Sequence, residues 1–152
     1  MKINIVCVGK IKEDFFTEAI NEYKKRLSRF CTFNIIEVSE DSKQTNLALK
    51  SEKEGKALLT KCTGVIVALD GKGKMLSSEE IASFVENKKV SGVSEISFVI
   101  GGSNGLSGEV LKRADLILSF GKITFPHQLF RVVLCEQIYR ALTIIEGLPY
   151  HK

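Results

Sequence analysis

The residues best placed to do chemistry sit where apolar runs give way to glycine. Phe98-Val99-Ile100-Gly101-Gly102-Ser103-Asn104-Gly105-Leu106 reads as a buried strand ending in a glycine-bearing turn. Glycine tolerates positive φ and close approach of a ligand, and amides exposed at such a turn can hold carboxylate or hydroxyl oxygens. A tight structural turn explains this loop, taken alone, equally well. Adjacent first glycines and a late position in the chain separate it from a dinucleotide fingerprint, and it lacks the Gly-Lys-Ser/Thr ending of a phosphate loop. Two further runs end the same way: Leu69-Asp70-Gly71-Lys72-Gly73-Lys74, and Ser119-Phe120-Gly121-Lys122-Ile123-Thr124-Phe125-Pro126. Ligands of open α/β sheets bind beyond the carboxyl ends of strands, so three such loops could build one pocket, or could be three ordinary connections.

The C-terminal stretch is the densest in polar grips: His127, Gln128, Arg131, Glu136, Gln137, Tyr139 and Arg140, then Gly147-Leu148-Pro149-Tyr150-His151-Lys152. Glu136 and Arg140 stand four apart, in the favourable order for an ion pair on one helix face. Arg131 and Arg140 on a mostly apolar helix need planar anionic partners, either RNA phosphate or a carboxylate of a second subunit. His127 and His151 are the only histidines and have no acid or metal partner nearby in sequence. No Ser/His/Asp or Cys/His set can be assembled, which disfavours hydrolysis.

These loops require a scaffold that alternates strands with helices, the pattern of an α/β fold with a mostly parallel sheet. Strands are expected at 3–8, 33–38, 65–69, 96–100 and 116–119, and all but the second are continuous apolar runs that need cover on both faces. Phe16, Ala19, Ile20, Tyr23, Leu27 and Phe30 recur at helical spacing, while Lys24, Lys25, Arg26 and Arg29 face outward, toward solvent or RNA. Residues 42–61 read as a polar helix. Ser77 with Glu80 three residues on is a capping box opening a third helix, whose inner face is Ile81, Phe84 and Val85. Ser107 caps a short fourth helix containing Val110 and Leu111. A last helix is expected over about 126–146, with Pro126 in its first turn. Its apolar residues, from Leu129 to Ile145, wrap too much of the circumference for one stripe, which points to self-association.

One domain spanning 1–152 accommodates all of this. A hydrophobic share of 44% with no bilayer-length apolar run predicts a protein without membrane spans. Cys7, Cys31, Cys62 and Cys135 stand singly, without zinc or redox spacing, and read as reduced residues of a cytoplasmic protein. A formal charge of +4 is compatible with a polyanionic partner but does not establish one.

Together, Phe98 to Gly102, Thr124 to Gln128, Arg131-Val132, Glu136 to Ala141 and Pro149 to Lys152 closely resemble the ribosomal large-subunit RNA methyltransferase H family of the SPOUT, or α/β-knot, class. The resemblance covers essentially the whole chain, including Met1 to Lys10 and Leu69 to Glu80. It implies a single SPOUT domain, a C-terminal trefoil knot that holds S-adenosylmethionine with no metal, a homodimer, and methylation of N3 of pseudouridine 1915 in 23S rRNA of the large ribosomal subunit. Carried over residue by residue, the cofactor contacts are Leu69, Gly101, Phe120, Gly121, Lys122, Ile123, Thr124 and Phe125. On this reading Tyr150 and His151 meet the target base, Arg140 anchors RNA or the opposite subunit, and His151 accepts the imide proton, with Glu136 as the alternative acceptor. The rival readings are a noncatalytic ribosome-associated RNA-binding factor and a SPOUT methyltransferase with another RNA target.

Overall fold

A computed structural model describes residues 1–152. Strands and helices alternate along the chain as β1 (Lys2–Val8), α1 (Asp14–Leu27), β2 (Thr32–Val38), α2 (Leu47–Lys61), β3 (Val65–Met75), α3 (Ser78–Val90), β4 (Glu95–Ile100), α4 (Gly108–Arg113), β5 (Leu116–Ser119) and α5 (His127–Ile145). The five strands form one sheet in the order β2-β1-β4-β3-β5. Every pairing is parallel. The fold is α/β with a parallel sheet flanked by helices.

Strand alternation divides the interior into two layers. Ile3, Ile5, Cys7, Val67, Leu69, Phe98 and Ile100 meet α1, α3 and α5 on one face. Val6, Val8, Ile66, Ala68 and Val99 meet Leu58 and Leu59 of α2 and Val110 of α4 on the other. Both faces are therefore covered, which is why these strands read as unbroken apolar runs.

Local signals set the helix starts. Ser77 Oγ accepts the Glu80 N–H, and the Glu80 carboxylate accepts the Ser77 N–H in return. Ser107 Oγ accepts the Val110 N–H. The second helix begins later than its composition suggests, at Leu47, because Asn46 caps it through the Ala48 and Leu49 amides. Ile81 and Val85 are buried on α3 together with Ala82, while Phe84 is only half-buried.

Two differences from the sequence reading bear on the site. β3 does not stop at Leu69: it continues through Asp70-Gly71-Lys72-Gly73-Lys74 to Met75, and after an irregularity Lys74 and Met75 pair with Leu118 and Ser119 of β5. The apolar girth of α5 is also largely covered within the same chain, because α1 and α3 flank it as the sheet backs it. A groove of about 370 Å³ stays open beside α5, with Met75, Leu76, Ile81, Phe125 and Val133 on its walls. No helix is long and apolar enough to cross a membrane.

Candidate active site

The glycine-bearing middle of β3 and the loops that follow β4 and β5 converge on one cavity of about 410 Å³. Leu69, Gly101, Phe120, Gly121, Lys122, Ile123, Thr124 and Phe125 all line it. Asp70, His127 and Phe130 line it too, although family likeness had not singled them out as contacts. The first two stand within motifs that sequence reading flagged; Phe130 is hidden among the apolar residues of α5.

Each wall has a physical cause. The turn after β4 doubles back so tightly that a Cβ on Gly101 would lie 2.5 Å from the Gly105 carbonyl. Gly121 adopts φ +110°, a conformation closed to side-chain-bearing residues at ordinary cost. The buried Ser119 hydroxyl ties two walls together: its oxygen lies 3.2 Å from both the Gly71 and Gly121 carbonyls and accepts the Gly121 N–H at 3.1 Å. One hydroxyl proton can serve only one of those carbonyls at a time. The Phe120 and Phe125 rings pack on Phe130 at centroid distances of 5.1 and 5.4 Å, giving the cavity an apolar, aromatic side.

A second cluster gathers the polar residues of the C-terminus. Arg140 donates from Nε to Glu136 Oε1 at 2.9 Å, and Tyr150 donates its hydroxyl proton to the same oxygen at 3.0 Å. The Arg140 guanidinium also lies 4.8 Å from the centre of the Tyr150 ring. Arg140 Nη1 lies 3.2 Å from His151 Nδ1, and His151 Nε2 lies 2.7 Å from Glu79 Oε1. Since a guanidinium only donates, Nδ1 is the accepting nitrogen here and Nε2 carries the hydrogen given to Glu79. The hydrogen bond from His151 holds the Glu79 carboxyl below its ordinary range. Burial, and then the bond to Glu136, push the Tyr150 phenol up to about 12, so it stays a neutral donor. Glu79 is the residue sequence reasoning missed: it lies 72 positions from His151, in the first turn of α3, with no periodic or motif signal linking the two.

Arg131 requires a correction. It is almost wholly buried, and its planar partner is neither RNA nor a second subunit but Glu37 on β2, 3.0 Å away in the same chain. Its Nη2 also donates to the carbonyls of Val8 and Gly9 at 2.6 and 2.9 Å. It therefore clamps the end of β1 to β2 and α5. Gln128, half-buried, accepts the Lys12 N–H at 3.1 Å near the surface.

The cavity and the C-terminal cluster are separate within one chain. His127 lines the cavity, and Arg140 comes 13 residues later on the same helix, about 20 Å along its axis at 1.5 Å per residue. The apolar groove lies between them and shares Phe120, Gly121 and Phe125 with the cavity while reaching Gln137, the neighbour of Glu136.

Residues 1–151 match the family model described as "Predicted SPOUT methyltransferase". A Clostridium botulinum (strain Langeland) protein named ribosomal RNA large subunit methyltransferase H is 54% identical over 159 residues covering 100% of both chains. A protein of the same name from Clostridium kluyveri is 51% identical over the same span. Among solved structures, one described as a probable methylase family protein from Haemophilus influenzae superposes with a TM-score of 0.58 at 13% identity, covering 99% of this chain and 70% of that one, which shows a shared fold.

Proposed function

The chain belongs to the SPOUT methyltransferase family, and on that premise we propose that it transfers the methyl group of S-adenosylmethionine to N3 of a pseudouridine in 23S rRNA, as a cytoplasmic homodimer of one SPOUT unit per chain. The observation that carries the proposal is the convergence on one cavity of three glycine-bearing segments, in the middle of β3 and after β4 and β5. Its volume lies in the range of small-molecule sites, and its wall at Gly101 has no room for a Cβ. An adenosyl group fits such a place, with exposed backbone amides and carbonyls for its polar edge and Leu69, Phe120, Phe125 and Phe130 for its faces.

Bound there, the cofactor supplies an electrophilic methyl on a sulfonium. The chain then has to hold the base in line with that methyl and remove the N3 proton. His151 would take the proton at Nδ1 once Arg140 Nη1, 3.2 Å away, turns from that nitrogen toward the RNA, while its opposite nitrogen stays on Glu79, whose carboxylate steadies the charge the ring would gain. Glu136 is the second acceptor, although three donors, from Arg140, Gln137 and Tyr150, already occupy it. Arg140, held on Glu136 and stacked on Tyr150, would anchor RNA or the opposite subunit. The C-terminal trefoil knot that the family likeness implies would involve the segment from β5 into α5.

Separation of cavity and C-terminal cluster within a chain favours a composite site, in which one protomer's cluster closes its partner's cavity. The groove of Met75, Phe125 and Val133 gives the contact surface. Calorimetry should show saturable donor binding, and mass spectrometry of rRNA from a deletion strain should show one methyl missing at one nucleotide. Mixing two inactive variants, Gly101→Ala and Arg140→Ala, tests the composite site: a two-fold dimer of random composition regains about a quarter of the sites. No recovery on mixing would return both halves of the site to a single chain.

A further inference from the structure

Lys72, Lys74 and Lys122 are all exposed; Lys122 lines the donor cavity, Lys72 follows the lining residue Gly71, and Lys74 pairs with the lining residue Leu118. Their backbones are not free to wander. Lys72 follows Gly71 and Lys122 follows Gly121, and both glycines are held by the single buried hydroxyl of Ser119. Lys74 is fixed opposite Leu118 by the extension of β3 along β5. Between the first two lysines, Gly73 packs so closely that a Cβ there would lie 2.6 Å from the Ile117 carbonyl oxygen. Strand alternation then turns residues 72 and 74 to the opposite, open side. The nearest acid in sequence, Asp70, spends an oxygen on the Lys72 N–H at 2.8 Å. Four other lysines, Lys2, Lys50, Lys53 and Lys56, each reach a carboxylate within 3.1 to 3.8 Å. The three lysines beside the cavity have no such partner.

Resting on the function proposed above, we propose that Lys72, Lys74 and Lys122 form a cationic rim that binds the RNA phosphates flanking the target nucleotide. A base lowered into the cavity brings its own phosphodiester to the cavity mouth, where unpaired ammonium groups displace condensed counterions. The other basic patch, Lys24, Lys25 and Arg29, is poorly placed for this. It lies at the end of α1 that feeds the start of β2, a strand length of about 23 Å from the sheet's carboxyl edge. The rim therefore meets the strand around the target, and α1 meets at most a remote part of the RNA.

The test measures affinity for a 23S rRNA stem-loop carrying the target nucleotide at several salt concentrations, for the wild-type dimer, Lys72→Glu/Lys74→Glu and, for comparison, Lys24→Glu/Lys25→Glu. Removing two phosphate contacts should lower the slope of log K against log salt by about 1.4 and weaken low-salt binding at least tenfold. Donor affinity by calorimetry and the melting temperature should stay unchanged. An unchanged slope in Lys72→Glu/Lys74→Glu overturns the rim, as does a loss of dimer mass in sedimentation with RNA affinity kept, which would assign these lysines to the subunit contact. Lys72→Gln/Lys74→Gln repeats the measurement without reversing charge. If the wild type itself neither binds donor nor methylates rRNA, the parent reading fails; if it does both and only the slope stays unmoved, the rim alone fails.

Discussion

Replacing Arg131 by alanine should destabilise the fold and leave RNA recognition untouched. The side chain is 2% exposed and serves three acceptors: Glu37 and the carbonyls of Val8 and Gly9. Truncation strands the buried Val8 carbonyl, frees the half-buried Gly9 carbonyl and leaves a cavity the size of the guanidinium, a class of change that costs about 3–5 kcal/mol when a buried ion pair is broken. Glu37 tempers the loss, because its side chain is 36% exposed and also accepts the Ile11 N–H, so water can reach it. That places the expected cost at the lower end, about 3–4 kcal/mol. For a chain of this length each kcal/mol moves the melting temperature by about 2–4 °C, so the drop should be roughly 6–16 °C. Urea unfolding followed by circular dichroism gives the free energy directly. Arg131→Met, which refills part of the volume but meets neither carbonyl, should recover less than half the loss. If Arg131→Ala stays within about 1 kcal/mol of wild type, the range of an exposed pair, the clamp described here does not exist. If it binds rRNA more weakly at full folded population, the phosphate role returns.

Gly101→Ala should abolish donor binding in calorimetry, because the added methyl needs space held by the Gly105 carbonyl; retained affinity would show that the turn can open. Arg140→Ala should lower turnover at least tenfold while changing donor affinity less than twofold, since the residue is remote from its own chain's cavity. Chains ending at Gly147 lose Tyr150 and His151 and should bind donor yet fail to methylate ribosomes in a single-turnover assay. Burial raises the thiols of Cys7 to about 11 and of Cys135 to about 12. At pH 8 each should react with Ellman's reagent at least roughly a hundredfold more slowly in the folded chain than in urea. The sign of the linkage follows: a thiol raised on folding contributes fully below its unfolded value near 9, so stability should fall as pH climbs from 9 toward 11.

Much of the scaffold could be read from residue pattern because a two-face-buried parallel strand leaves an unbroken apolar run, and the starts of α3 and α4 carry serine caps. The continuation of β3 through Asp70 to Met75 was unreadable for the same reason inverted: it is glycine-lysine alternation held by β5 on one side, with no apolar signature. Family likeness collected the cavity residues, and position beyond strand ends gave the same three loops independently. Pairings across long separations left no trace. Arg131 finds Glu37 across 94 residues and His151 finds Glu79 across 72, and no periodicity encodes either. The girth of α5 overstated the exposed apolar surface, because two helices from distant parts of the sequence supply cover that a wheel drawn for one helix cannot include.

Every residue on the cavity wall lies between Leu69 and Phe130. The first 68 residues fill half the sheet and one helix of each layer but contribute nothing to that wall. A nascent chain must therefore release nearly all of its length before the cavity can exist, and no small molecule bound there can guide the early steps of folding. Whatever order the amino-terminal half acquires as it emerges, it acquires on the strength of its own packing.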